Sequence, residues 1–272
     1  MKGVMRSGRS ARLPLLLSLA AAVSVLWAGG AQGERIKSGD LIVSLSGEIA
    51  PRTLPRATAA PVKIRVEGDV KTLSSSRPPP LRRLRIAVNR QGKLFTRGLA
   101  VCSPAQLQGT SSEAALSACR PALVGRGSFE AKVALPSLAP FPAQGRVLAF
   151  NGRRNGRQAL LLHIHGRSPT PVTFVLPLTI THRSKGDFGM VISANLPRLA
   201  GDLGYVTGIE FTLHRRYRYA GKMRSYLSAS CAAPAGFPGA IFVFAKGTFD
   251  FSNGQRLRTT LIRDCRVREP RG

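Results

Sequence analysis

Two runs of alternating apolar and polar residues near the end of the chain constrain its fold most. They cover residues 241–251 and 256–263, and their period of two is typical of β-strands with one buried face. Asn253-Gly254 separates them, and Asn-Gly between two such runs predicts a hairpin with a type I′ turn. The expected apolar face comprises Ile241, Val243, Ala245, Phe249 and Phe251, and the opposite face carries Lys246, Thr248 and Asp250.

Similar strand patterns recur along the chain at the spacing that is typical of an all-β domain. They cover residues 41–47, 62–68, 84–88, 93–101, 128–135, 146–151, 157–165, 172–182, 188–195, 208–219 and 225–231. One short helical insertion interrupts them at about residues 103–119. Ser103-Pro104 is a typical helix start, and Thr110 to Glu113 matches a capping box. We therefore expect an antiparallel β-sandwich or irregular barrel with this single insertion.

The first 33 residues have the composition of a secretory signal peptide. Lys2 and three arginines precede an apolar run over residues 13–28, and small residues lead to an A-x-G cleavage site before Glu34. An uncleaved membrane anchor is the alternative, but the run is shorter than the roughly 20 residues of a usual membrane span. No later run is long and apolar enough to span a membrane. The chain is thus expected to be exported, extracellular or in the cell envelope.

The remaining residues, 34–272, have a suitable length for one all-β domain. A polar, proline-rich connector at residues 74–80 could mark a boundary, but the roughly 45 residues before it are too few for an independent core. We therefore expect a single domain, in which the N-terminal strands and proline-rich loop of residues 34–80 pack on the main body.

All four cysteines lie in the part of the chain that is expected to be exported. An even number of cysteines in such a chain favours two disulfides. Of the three pairings that four cysteines allow, we favour the sequential one, Cys102 with Cys119 and Cys231 with Cys265. A zinc site is the alternative, but no C-x-x-C spacing supports it.

The chain is strongly basic, with a formal net charge of +28. Four cations and no acid lie in the first 33 residues, so +24 remains after cleavage. Such a charge attracts polyanions, including nucleic acid and acidic polymers of the cell envelope. Arginine outnumbers lysine by 32 to 9, a bias that a GC-rich genome also produces, so the charge has a non-functional explanation as well.

The densest basic stretch, residues 214–224, is expected to form an exposed hairpin. Cations interleaved with tyrosines could follow the charges of an anionic polymer. Alternatively, the arginines only keep an exposed sheet edge from aggregating. The candidate binding residues are Arg215, Arg216, Arg218, Lys222 and Arg224, together with Tyr217 and Tyr219.

His163 and His165 lie two positions apart on a predicted strand, so their side chains leave the same face. Such a pair can supply two metal ligands, and the alternative is a polar, partly buried strand face. No nucleophile elbow, zinc-protease motif, phosphate loop or dinucleotide fingerprint occurs in the sequence. We therefore expect no enzymatic activity and no cofactor.

Several short strings within residues 81–268 carry a resemblance to other proteins. They are Val101-Cys102, Ala118-Cys119, Ala122 to Gly127, Leu148 to Arg153, Ala200 to Thr207, Tyr226 to Cys231 and Phe237 to Gly239. In these strings the chain resembles a group of uncharacterised exported proteins of high-GC Gram-positive bacteria. The resemblance implies export and disulfide bonds, and it carries no activity or site residue.

These features together predict an exported, non-catalytic envelope or secreted domain that acts by binding or as a structural element. One alternative is a binder of anionic polymers that uses the basic hairpin of residues 214–224. Another is a metal-dependent hydrolase that uses His163 and His165.

Overall fold

The computed structural model describes residues 34–136, 138–167, 171–198 and 204–268. The predicted signal peptide, residues 1–33, lies outside the described residues. Strands dominate the described part, and helical residues lie between positions 104 and 122. The prediction of an all-β fold with one short helical insertion is therefore confirmed.

The strands are β1 (Glu34–Ser38), β2 (Leu41–Ala50), β3 (Thr53–Leu54), β4 (Ala60–Pro61), β5 (Lys63–Thr72), β6 (Leu81–Asn89), β7 (Gly92–Leu94), β8 (Leu123–Val133), β9 (Phe141–Arg154), β10 (Arg157–Gly166), β11 (Val172–His182), β12 (Phe188–Asn195), β13 (Gly204–Leu213), β14 (Arg216–Tyr219), β15 (Lys222–Ser225), β16 (Leu227–Ala229), β17 (Gly239–Phe251) and β18 (Arg256–Val267). The helices are α1 (Pro104–Leu107) and α2 (Ser112–Cys119), and a 3-10 turn follows at Arg120–Ala122.

Thirteen of these strands form one sheet, in the order β1-β2-β5-β13-β8-β9-β10-β11-β12-β6-β17-β18-β3. Neighbours are antiparallel apart from β18 and β3, which are parallel. The sheet curls until β1 contacts β18. At this join Gln255 Nε2 donates to the Ser38 carbonyl (3.2 Å), and Arg263 Nε donates to the Gly47 carbonyl (2.6 Å). One curled sheet resembles the expected irregular barrel more than the expected sandwich.

Two smaller sheets lie beside the large one. Strands β4, β16 and β7 form a three-stranded sheet, and β14 pairs with β15 as a hairpin. The three-stranded sheet is extended by hydrogen bonds from Val62 N to Leu227 O (3.1 Å) and from Phe95 N to Tyr226 O (3.0 Å). It covers the end of the curled sheet at which β6 finishes, because its residues line the interior there.

Strand β17 contains a β-bulge between Val243 and Ala245, and the bulge changes which residues face the interior. From Ala245 onward the predicted face is correct, and Phe249 is buried. Before the bulge the faces are exchanged: Ile241 is 80 % exposed, whereas Phe244 is buried. The prediction that Ile241 and Val243 share the apolar face with Phe249 is wrong, because one extra residue shifts the alternation by one.

The turn that follows β17 also differs from the prediction. Gly254 has a φ of 83°, but Asn253 is not in the left-handed region, so the turn is not type I′. Instead, Phe251 N donates to Gln255 O (2.9 Å), and the Asn253 side chain accepts from Gln255 N (3.1 Å). A side chain that accepts from the backbone two residues later stabilises a longer loop.

The helical insertion packs on the outer face of β9 and β10. Leu107 and Ala115 are fully buried there, against Phe150 and Leu161. The N-cap of α2 is Ser111, whose side chain accepts from Ala114 N, rather than Thr110 as the capping-box pattern predicted.

Both disulfides have the predicted sequential pairing. Cys102 and Cys119 lie 5.8 Å apart at their Cα atoms and bracket the helical insertion. Cys231 and Cys265 lie 5.6 Å apart at their Cα atoms and connect the segment before β17 to β18.

The N-terminal strands β1, β2 and β5 belong to the large sheet itself, where β5 pairs with β13.

Candidate functional site

The interior of the curled sheet contains a cavity of about 270 Å³. It arises from the alternation of the strands, since every second side chain of a curled sheet points to the inside. Strands β2, β5, β6, β10, β11, β12, β13 and β17 all contribute apolar side chains to its wall. An engineered apolar cavity of about 150 Å³ is large enough to take up benzene. The cavity in this protein can therefore hold a larger apolar molecule.

The wall of this cavity keeps accessible apolar surface. Ile64, Val66, Ile86, Val88 and Ile192 face the interior and pack against the core, yet they are only half-buried. A filled protein interior is packed about as densely as an organic crystal and leaves few voids larger than a water molecule. The residual exposure of these residues therefore means that side chains alone do not fill the curled sheet.

Glycine at an inward position of β5 contributes to the free space. A Cβ added at Gly68 would come no nearer than 3.7 Å to any atom, and its nearest neighbour would be Ile209 Cγ2. This is ordinary van der Waals contact, so a larger side chain at position 68 can enter the cavity without a clash at its first atom. Position 68 is thus suited to a cavity-filling substitution.

Tyr226 provides a polar group at this largely apolar wall. It precedes β16, lines the cavity and is 1 % exposed. Burial raises the pKa of its phenol above the ordinary value, and no hydrogen bond to another described residue offsets this effect. A buried phenol usually has a hydrogen-bond partner. The Tyr226 hydroxyl is therefore available to a molecule that occupies the cavity.

Three other polar side chains at the same end of the cavity have partners. Asn89 Nδ2 donates to Val243 O (2.8 Å), and its Oδ1 accepts from Gln91 N (2.9 Å). The Ser230 hydroxyl donates to the Gln91 side chain. These groups stabilise the covered end of the sheet, where Lys93 and Ser228 also line the cavity.

Loop residues and the first residues of β13 line the opposite end of the cavity. Residues 78–80 and 196–197 contribute there, together with Tyr205 at the start of β13. The Arg77 guanidinium lies 5.6 Å from the centre of the Tyr205 ring. Loops open at a lower free-energy cost than paired strands, so we expect any ligand to enter at this end.

The histidine pair lies outside the cavity, on the face of β10 that the helical insertion covers. His163 is fully buried, and its Nε2 lies 3.0 Å from Thr110 O. His165 Nδ1 lies 2.8 Å from the Thr173 hydroxyl, which donates to the same Thr110 carbonyl. Burial lowers the pKa of His163 below its ordinary value. Both rings therefore hold the helical insertion on the sheet.

Within the described part of the chain, the structure offers no third ligand for a metal site at His163 and His165. Among the residues that the structure describes, no group of three or more His, Cys, Asp or Glu side chains could hold a metal ion. The other two histidines lie elsewhere: His182 Nε2 contacts the Gln158 side chain (3.1 Å), and His214 is exposed.

The basic hairpin does not present its cations as one stripe. Opposite residues of β14 and β15 share a face, so Arg216 and Arg218 lie on one face, and Lys222 and Arg224 lie on the other with the tyrosines. Arg215 precedes the hairpin, and its Nε is buried without a partner among the described residues.

The two tyrosines of the hairpin have structural contacts. Tyr217 is buried, and its hydroxyl donates to the carbonyls of Phe95 (3.1 Å) and Arg97 (3.0 Å). Tyr219 packs against Phe95, with ring centres 6.3 Å apart. Neither ring is an open platform for stacking. The hairpin thus offers a polymer four exposed cations on two faces, and the proposed role of its tyrosines gains no support.

Sequence reasoning missed the cavity and Tyr226. The alternating strands indicate inward apolar faces, but the volume between them depends on the curvature of the sheet and on residues that are distant in sequence. Glycine at position 68 in an otherwise apolar face was the available signal, since glycine in a strand often marks a site of close approach or bending.

Comparison with known proteins adds no identification. No family model, curated protein or solved structure matches this chain. The resemblance to exported proteins of high-GC Gram-positive bacteria therefore stays a prediction. In the described parts of the chain, no helix has the length and apolar character required to cross a membrane.

Proposed function

We propose that this protein is an exported, non-catalytic domain of the cell envelope or the secreted fraction, and that it acts by binding an apolar small molecule inside its curled sheet. The observation that carries the proposal is the cavity of about 270 Å³. Its half-buried apolar wall loses contact with water when a ligand enters, and each Å² of apolar surface removed from water contributes roughly 25 cal/mol. Ligand pockets are usually apolar and already formed, with a few placed polar groups.

Tyr226 narrows the class of ligand. A purely hydrocarbon ligand would leave its buried phenol without a partner, whereas a hydroxyl, carbonyl or carboxyl group would give it one. We therefore infer an amphiphile with an apolar body and one hydrogen-bonding end group, such as a fatty alcohol or fatty acid. The two disulfides support the export part of the proposal, because disulfides persist in oxidising compartments.

Binding of N-phenyl-1-naphthylamine tests the cavity. This dye is uncharged, so the basic surface does not attract it, and its emission rises in an apolar environment. We expect a saturable, one-to-one emission increase with the wild-type protein. In Gly68→Leu, a side chain that enters the cavity should weaken the binding at least tenfold.

Lys71→Leu is the matched control, since it adds a leucine to the exposed outer face of the same strand. Its dye affinity should stay within twofold of the wild type. Urea melts establish that both variants fold. The proposal is wrong if the wild type shows no saturable binding, or if the two folded variants bind the dye equally well.

A further inference from the structure

A groove on the outer face of the sheet brings together side chains that are distant in sequence. Arg83 and Arg85 of β6 point outward, because their neighbour Leu84 packs against the core on the inside. In the register of the sheet, Arg85 lies opposite Ser193 of β12, which lies opposite Thr179 of β11. Cations and hydroxyls therefore lie side by side across three strands.

Two further arginines belong to the same groove. Arg154 at the end of β9 and Arg183 just after β11 line it with the residues above, and the concave space between them measures about 380 Å³. All four arginine side chains are exposed. The groove is separate from the interior cavity, since it lies on the other face of the sheet.

The charge of the groove is only partly compensated, because Asp250 interacts electrostatically with Arg83. Arg85, Arg154 and Arg183 form no ion pair with a carboxylate of the described residues, and Arg83 Nε contacts the Asn195 side chain at 3.3 Å. The nearest acid on β17 is Asp250, opposite Arg83 in the register. Its carboxylate is engaged by Arg256, and this hydrogen bond, with the nearby positive charges, holds the pKa of Asp250 below its usual range.

Another region of the same outer face shows the opposite arrangement. On β5, Arg65 Nε lies 2.7 Å from a carboxylate oxygen of Glu67, and its Nη2 lies 2.9 Å from one of Glu210 on β13. The protein thus pairs a sheet arginine with acids at one site, whereas Arg85, Arg154 and Arg183 at the groove have no ion pair within the described part of the chain. A uniform compositional bias toward arginine does not account for this difference between the two regions.

We propose that the groove of Arg83, Arg85, Arg154 and Arg183 binds the phosphate groups of a linear phosphodiester polymer. Guanidinium groups bind phosphate oxygens through two parallel N–H bonds. The hydroxyls of Thr179 and Ser193 can donate to the same oxygens. Among the residues that the structure describes, no aromatic one lines the groove, and binders of single-stranded nucleic acid usually stack bases on aromatic rings. The ligand is thus a polymer recognised by its phosphates alone.

Fluorescence anisotropy with a labelled synthetic glycerol-phosphate oligomer tests this site. The double variant Arg85→Gln/Arg183→Gln should bind at least tenfold more weakly than the wild type. Its affinity should also depend less steeply on salt concentration, because a variant with fewer phosphate contacts releases fewer counterions when it binds. The matched control Arg216→Gln/Arg218→Gln removes the same charge from the basic hairpin and should change the affinity less than threefold.

Each other outcome contradicts the proposal. Equal weakening in both double variants would mean that the charge acts diffusely, and stronger weakening in the hairpin variant would place the site there. Tighter binding of a single-stranded DNA oligomer with the same number of phosphates would show that bases are recognised. A urea melt with the wild-type midpoint verifies that the groove variant is folded.

Discussion

At the scale of single residues, the proposed class of ligand depends on the hydroxyl of Tyr226. In Tyr226→Phe this hydroxyl is lost while the ring still fills its place, so the affinity for 1-dodecanol should fall about threefold to tenfold, equal to roughly 0.5–1.5 kcal/mol for one hydrogen bond. The affinity for dodecane should not fall. Displacement of N-phenyl-1-naphthylamine by each compound measures both values. An equal loss for the two compounds would show that the ring, and not the hydroxyl, is what matters.

Residue identity alone did not reveal this role. Tyr226 lies in a stretch whose strand pattern was recognised, but its burial depends on the three-stranded sheet that covers the cavity. For the histidine pair, the sequence indicates the shared face but not the role of the two residues. The spacing of His163 and His165 predicted a shared face correctly, but only the packing of Thr110 above them shows that they are engaged in holding the insertion.

At the scale of elements, two substitutions in β17 test the register of the sheet. Phe249 is buried, so Phe249→Ala should lower the free energy of unfolding by about 3–5 kcal/mol. Lys246 is exposed on the other face, and its Nζ lies 5.3 Å from the centre of the Phe188 ring. Lys246→Ala should therefore cost only about 0.5 kcal/mol, the magnitude of an exposed cation–π contact. Urea melts of both variants measure the difference, and equal midpoints would refute the observed register.

The same strand shows what a sequence can predict about elements. The alternation of β17 identified the strand, its partner and the buried side of its second half. The bulge at Val243 and Ala245 reversed the first half, because an extra residue leaves no mark in a pattern where Phe242, Val243 and Phe244 are all apolar. Strands β11 and β12 begin and end at the predicted residues.

At the scale of the whole molecule, the Cys231–Cys265 disulfide should contribute most to stability through the unfolded chain. It closes a loop with a sequence separation of 34 residues, against 17 for Cys102–Cys119. The chain-entropy relation gives about 4 kcal/mol for the longer loop and about 3 kcal/mol for the shorter one. Urea melts of Cys231→Ser/Cys265→Ser and Cys102→Ser/Cys119→Ser compare them. A larger loss for the second pair would mean that the helical insertion, and not loop closure, dominates.

The join between β1 and β18 has a mechanical consequence for the molecule. Backbone pairing runs without a break from β1 to β18 through the sheet, but the contacts described across the join come from side chains, those of Gln255 and Arg263. A curled sheet without backbone hydrogen bonds along one line separates there more easily than a sheet whose strands are paired all the way round. We therefore expect the wall of this protein to open more easily along this line than between its paired strands.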